Sequence, residues 1–167
     1  MLIVYTGNGK GKTTACVGQA VRALGQGMTV GFGQFMKKDG QAGEQKMLAQ
    51  LLGQRFLASG AGFFRDADLE THREKAQTLL AWARGCLDQG VDMLILDEAL
   101  YALNHGLLLQ EEILEFVRRC GELGCHLVLS GRGAPEWLTD MADIVSNVTE
   151  VRHIYAQGGK ARRGIEF

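Results

Sequence analysis

The sequence predicts an α/β fold, a mostly parallel sheet with helices on both faces, and three observations carry this. Short apolar runs alternate with longer segments of helical period, the pattern of strands joined by helical crossovers. The first run breaks into a glycine-rich stretch that opens a helix. The other suggestive short motifs, "LDEA" and "LSGRG", also follow apolar runs directly, and ligands of parallel sheets gather at that end of the strands.

The elements follow in order. "LIVY" (2–5) is the first strand. From Lys12 the spacing of Cys16, Ala20, Ala23 and Leu24 is helical, and Gly25 or Gly27 can end the helix. "MTVGFGQF" (28–35) reads as the second strand and "KKDGQAGE" as a polar, mobile stretch. A helix then runs through Met47, Leu48, Leu51 and Leu52, and "QRFLAS" is a brief third strand before a loop, "GAGFFRDAD" (60–68). Ala76, Leu79, Leu80, Ala83 and Leu87 form one apolar stripe on a helix of about 70–88. "VDMLILDEA" (91–99) reads as a buried central strand ending in acids, with a helix from about Gln110 to Cys120 after it. "CHLVLSGRG" (125–133) is another buried strand, "APEWLTDMA" a short helix, and "DIVSNVTEVRHIY" (143–155) one or two final strands before a basic, glycine-rich tail. No repeat, low-complexity segment or linker divides the chain, so residues 1–167 are expected to form a single domain.

Composition narrows the function. The chain has 167 residues and a formal charge of -1, which disfavours nucleic acid as its main partner. No apolar run is long enough to cross a membrane, and none reads as a secretion signal. Cys16, Cys86, Cys120 and Cys125 make no C-x-x-C pair or common zinc pattern, and buried thiols suit a cytoplasmic location.

The phosphate-loop pattern is G-x-x-x-x-G-K-[ST]. Here the loop is "TGNGKGKT" (6–13), with Thr6 at the first glycine position and extra glycines at Gly7 and Gly9. Small residues let backbone N–H groups face a phosphate, and the following helix offers its positive end. Lys12 is read as the phosphate lysine and Thr13 as a hydroxyl ligand to Mg²⁺, with Asn8, Gly9, Gly11 and Thr14 as supporting donors. Lys10 is either a second phosphate cation or solvated. Arg22, two turns on from Ala15, either reaches back over Ala15 and Gly18 or faces solvent.

Asp97 and Glu98 should lie at the carboxyl end of the central strand, beside this loop. One can hold Mg²⁺, a hard ion that takes oxygen ligands and keeps much of its water. Glu98 also reads as a base activating water, and the residues alone do not separate the two roles. Arg132 follows another buried strand, where it either stabilises phosphate charge or fastens its loop through an ion pair. Phe63 and Phe64 either pack inward or wall a large ring ligand. The tail gathers Arg152, His153, Lys160, Arg162 and Arg163 against Glu166; it is either solvated surface or a cover over an anionic ligand.

These motifs together resemble the P-loop ATP:corrinoid adenosyltransferases. The matching pieces are "YTGNGKGKTTA" (5–15), "GQAVRALGQG" (18–27), "QFMK" (34–37), "LILDEA" (94–99), "LSGRGAP" (129–135), "MADIVS" (141–146) and "GGKARRGIEF" (158–167), so the likeness spans the chain. It implies a homodimeric, RecA-like α/β fold acting on ATP and a reduced corrinoid, with Mg²⁺ as cofactor and a flavoprotein as candidate reductant. It further implies that Asn8 to Thr14 grip the triphosphate, that Thr13 joins Mg²⁺ with Glu98 or Asp97, and that Lys12, Thr13 and Glu98 serve the chemistry. Arg22, Arg132 and Phe63 match family positions expected to contact the substrates. The nucleotide would lie reversed relative to ordinary P-loop enzymes.

Departures bear on substrate. Relatives commonly carry a segment before the first strand, which here begins at Leu2, and the usual "GFTW" stands as Gly62-Phe63-Phe64-Arg65. Ser130 replaces a family threonine. Two further readings remain open at this point: a small P-loop kinase or RecA-like ATPase, and a corrinoid- and ATP-binding homologue with weak or lost turnover.

Overall fold

The computed structural model describes residues 1–40, 42–60, 62 and 69–166, with the side chain of Gln157 left aside. The strands are β1 (Leu2–Thr6), β2 (Val30–Gln34), β3 (Phe56–Ala58), β4 (Met93–Asp97), β5 (His126–Ser130) and β6 (Ile144–Asn147). The helices are α1 (Lys12–Gly25), α2 (Gly43–Leu52), α3 (Leu69–Asp88), α4 (Ala99–Asn104), α5 (Gln110–Leu123) and α6 (Glu136–Met141). The strands form one sheet in the order β3-β2-β4-β5-β1-β6, and every pairing is parallel. This is the expected α/β architecture.

Side chains alternate across a strand, so each central strand feeds two cores. Leu94 and Leu96 of β4 pack with Leu79, Leu80, Leu100 and Phe116 on the α3–α4–α5 side. Met93 and Ile95 pack with Cys16, Ala20 and Leu48 on the α1–α2 side. That two-sided burial explains why these strands read as continuous apolar runs. The small residues Cys16, Ala20 and Ala23 are α1's buried apolar positions. Partly buried polar links join α3 to α5 and the segment before it: Arg73 makes a two-pronged pair with Glu112 at 2.9 and 3.0 Å and donates to the Leu107 carbonyl.

The structure corrects several element boundaries. β2 begins at Val30, two residues later than the pattern suggests, because Thr29 is turned to meet Asp92, donating to its carboxylate from N and Oγ1 at 2.7 Å each. Of residues 143–155, only Ile144–Asn147 form a strand; the chain then leaves the sheet edge to cross the loop after β1. The stretch expected to be mobile contains the start of α2, and its Lys37, Gly43 and Glu44 face the main cleft. α4 escaped the periodicity argument because six residues are under two helical turns. Phe63, Phe64 and Arg65 of the expected aromatic loop lie outside the described residues.

Candidate functional site

The loop between β1 and α1 is built around close approach. Gly7 adopts φ 100°, and a Cβ there would come within 2.3 Å of Asn147 Oδ1; one on Gly9 would come within 2.8 Å of the Thr149 backbone. The Gly9 amide donates to the Val148 carbonyl at 2.7 Å. These two extra glycines therefore admit the segment after β6, and the Gly9 N–H serves that contact rather than an open anion cradle. Thr6 has its own use, since its Oγ1 accepts from the Ala134 amide at 3.1 Å and ties the loop to the one after β5.

Lys12 opens α1 and is buried, its Nζ donating to the carbonyls of Gly7 at 2.8 Å and Gly9 at 2.9 Å. Burial lowers its pKa, with the negative charge of Glu98 opposing that shift. One helical residue on, Thr13 Oγ1 donates to Asp97 at 3.1–3.2 Å. β1 and β4 are not neighbours, because β5 lies between them. The contact is made across β5, whose Ser130 Oγ donates to Asp97 Oδ1 at 2.6 Å.

The adjacent acids have different surroundings. Asp97 is fully buried and also receives Gln34 Nε2 at 3.0 Å. Gln34 in turn accepts from Gln45 of α2 at 3.1 Å. Glu98 takes a left-handed backbone, φ 60°, and its side chain lines the cleft. Its amide donates to Ser130 Oγ at 3.0 Å. Burial and then the Asp97 charge push the Glu98 pKa up, against Lys12 and Lys37.

The cleft encloses about 820 Å³. Asn8, Gly9, Lys10, Gly11, Lys12, Thr13 and Thr14 line it from one side, with Glu98 and Arg132. The loop bearing Arg132 is fastened by Asn104 of α4, whose Nδ2 donates to the Arg132 and Gly133 carbonyls at 2.8 and 3.0 Å. Arg22 lies exposed on α1 and outside the cleft lining. Phe63 is outside the described residues.

The tail does reach the cleft, through Glu150, His153, Tyr155, Ile165 and Glu166. Arg152, Lys160, Arg162 and Arg163 are exposed and absent from that lining. Of the two readings of the tail, its arginines and lysine take the solvated one, while Glu150, His153, Tyr155, Ile165 and Glu166 are the side chains turned to the cleft.

Sequence reasoning left Lys37 and Glu44 without a role. Lys37 Nζ donates to Glu44 Oε1 at 3.0 Å and Thr13 Oγ1 at 3.2 Å, and lies 3.7 Å from Asp97. Burial pulls its pKa down, but Asp97 and Glu44 outweigh this and the net shift is upward. The signal was available: "QFMK" ends a strand at the same sheet edge as the other motifs.

The donors near Thr13 fit a hard divalent ion, being a hydroxyl and carboxylates. Among the described residues, no group of three or more His, Cys, Asp or Glu could hold a metal ion, so phosphate oxygens would have to complete such a site. All four cysteines are free and buried, and no helix among the described residues is long and apolar enough to cross a membrane.

The parallel sheet, the loop opening α1 and the acids ending β4 define a P-loop nucleotide-binding protein. Within that class the chain belongs to the ATP:corrinoid adenosyltransferase family BtuR/CobO/CobP, whose family model matches residues 1–167. It is similar to the corrinoid adenosyltransferase CobA of Salmonella typhimurium, at 36% identity over all of this chain and 85% of that protein. It is likewise similar to corrinoid adenosyltransferases of Escherichia coli K12, at 35% over all of this chain and 85% of the relative, and Pseudomonas aeruginosa, at 34% over all of this chain and 83% of the relative. A crystallised DNA replication initiation factor has a TM-score of 0.46 at 15% identity, over 88% of this chain and 39% of that one, too distant to bear on function.

Proposed function

We propose that this protein transfers the 5′-deoxyadenosyl group of ATP to the cobalt(I) of a reduced corrinoid and releases triphosphate. The observation that carries this reading is the family match over the whole chain, tail included. The cleft supports it by bringing the phosphate loop, Glu98, Arg132 and that tail together.

In this reaction cobalt(I) donates an electron pair to C5′, forming the Co–C5′ bond and becoming formally cobalt(III). The C5′–O bond breaks and its electron pair leaves on the triphosphate. Cobalt(I) is already a strong nucleophile, so no side-chain base is required. The protein must align C5′ with cobalt and stabilise negative charge on the leaving group. Lys12 supplies a buried cation at the loop; to meet a phosphate its ammonium exchanges the Gly7 and Gly9 carbonyls for phosphate oxygens. Thr13 and Glu98 face the cleft and would hold Mg²⁺, while Asp97, buried behind them, orients the Thr13 hydroxyl. Bound there, Mg²⁺ would neutralise triphosphate charge. Asn8, Lys10, Thr14 and Arg132 line the same cleft and add polar or cationic contacts.

The reading includes a homodimer and a flavoprotein electron donor, the first testable by sedimentation and the second by reconstitution with a reduced flavoprotein. The reaction itself is tested by supplying ATP, Mg²⁺ and a chemically reduced corrinoid. Adenosylated corrinoid and triphosphate in equal amounts are expected; stoichiometric ADP would instead mean phosphoryl transfer or ATP hydrolysis.

A further inference from the structure

A cation from outside the phosphate loop, Lys37, lies against the proposed metal position. Lys37 Nζ lies 3.2 Å from Thr13 Oγ1 and 3.7 Å from Asp97 Oδ2, against the hydroxyl proposed to hold the divalent ion and the carboxylate that orients it. Asp97 is fully buried, so an uncompensated charge there would be costly. An ammonium and a divalent ion at contact distance also repel strongly. One of them must yield when the other arrives.

The structure shows which part is fixed and which can move. Met36 has φ 65°, turning the chain at the end of β2. Lys37's backbone is pinned there, because its carbonyl accepts from the Gly60 amide at 2.9 Å. A Cβ on Gly60 would come within 2.1 Å of the Met36 carbonyl carbon, so the two segments are in direct apposition. The side chain is less confined, being 30% exposed, and Glu44 gives its ammonium a second anchor at 3.0 Å.

We infer that Lys37 is a positioning residue whose ammonium keeps the nucleotide-free site in charge balance and is exchanged for the divalent cation when ATP loads, staying with Glu44. This rests on the ATP- and metal-binding part of the proposed function. In the free protein the ammonium suppresses binding of bare metal. The triphosphate brings the negative charge that lets metal enter, so the site takes metal and nucleotide as a pair.

Mn²⁺ binding followed by electron paramagnetic resonance, with and without ATP, tests this independently of turnover. The wild type should bind Mn²⁺ weakly alone and tightly with ATP. Lys37→Met should bind Mn²⁺ alone at least about tenfold more tightly, whereas Lys37→Arg, which keeps the charge, should behave as the wild type. Glu44→Gln, which deprives the displaced ammonium of its anion, should weaken Mn²⁺–ATP binding about threefold or more. Unchanged affinity for Mn²⁺ alone in Lys37→Met, beside normal Mn²⁺–ATP binding by the wild type, would overturn the exchange while leaving the nucleotide site standing. Should Lys37→Met fail to fold, Glu44→Gln decides, and unchanged Mn²⁺–ATP affinity there overturns the inference. No Mn²⁺–ATP binding by the wild type would overturn both the exchange and the functional reading beneath it.

Discussion

Asp97 and Glu98 are neighbours in sequence with opposite surroundings. Asp97 is sealed under Thr13, Gln34 and Ser130, while Glu98 turns into the cleft through a left-handed backbone. Its raised pKa has a sign that can be checked. Between the ordinary carboxylate range and the raised value, the folded chain holds a proton that the unfolded chain releases. Stability without ligand therefore falls as pH rises through that window. Glu98→Gln removes this cost, so the ligand-free melting temperature at neutral pH should rise while its pH dependence flattens. The same variant should lose Mg²⁺-dependent ATP binding; calorimetry with and without ATP reads both effects. Lys12→Ala removes the buried cation of the loop and should lower turnover by about 10²–10³-fold. An unchanged rate would contradict the phosphate role given to Lys12.

At the scale of elements, the loop after β1 and the segment after β6 form one unit. Gly9 lies so close to Thr149 that even a methyl group cannot be added without displacing backbone. Gly9→Ala should therefore destabilise the fold by about 1–3 kcal/mol, measured by urea unfolding, and weaken ATP binding as well. Wild-type stability in that variant would show that the contact is dispensable. The α3–α5 seam is separate: Arg73→Met would leave Glu112 without its guanidinium partner and should cost about 1–2 kcal/mol with no change in ATP affinity. The strands and long helices were legible because burial on both sheet faces writes unbroken apolar runs such as "MLIL". α4 was not, being too short for its period to show. Contacts made across the sheet were also hidden: Ser130 reaching Asp97, and Lys37 reaching Thr13 and Glu44, depend on the strand order, which local pattern does not encode.

At the scale of the molecule, the tail reads differently in sequence and in space. Its arginines and lysine dominate the sequence, yet Glu150, His153, Tyr155, Ile165 and Glu166 are among the side chains that face the cleft. Among the described residues from 148 to 166, none belongs to either hydrophobic core. Removing residues 158–167 should leave the far-ultraviolet circular dichroism and melting temperature nearly unchanged while raising KM for ATP or corrinoid. A large loss of stability would contradict a tail that serves the cleft rather than the core. Family membership was legible because the motifs are spread from the first strand to the tail, whereas the loop alone speaks only of phosphates. The use made of the triphosphate is the central claim, since every P-loop enzyme grips one and few discard it whole. Phosphorus NMR of a reaction containing ATP, Mg²⁺ and reduced corrinoid tests it most directly. Triphosphate appearing in step with the cobalt–carbon product is the expected result; ADP and phosphate, with corrinoid unchanged, would contradict it.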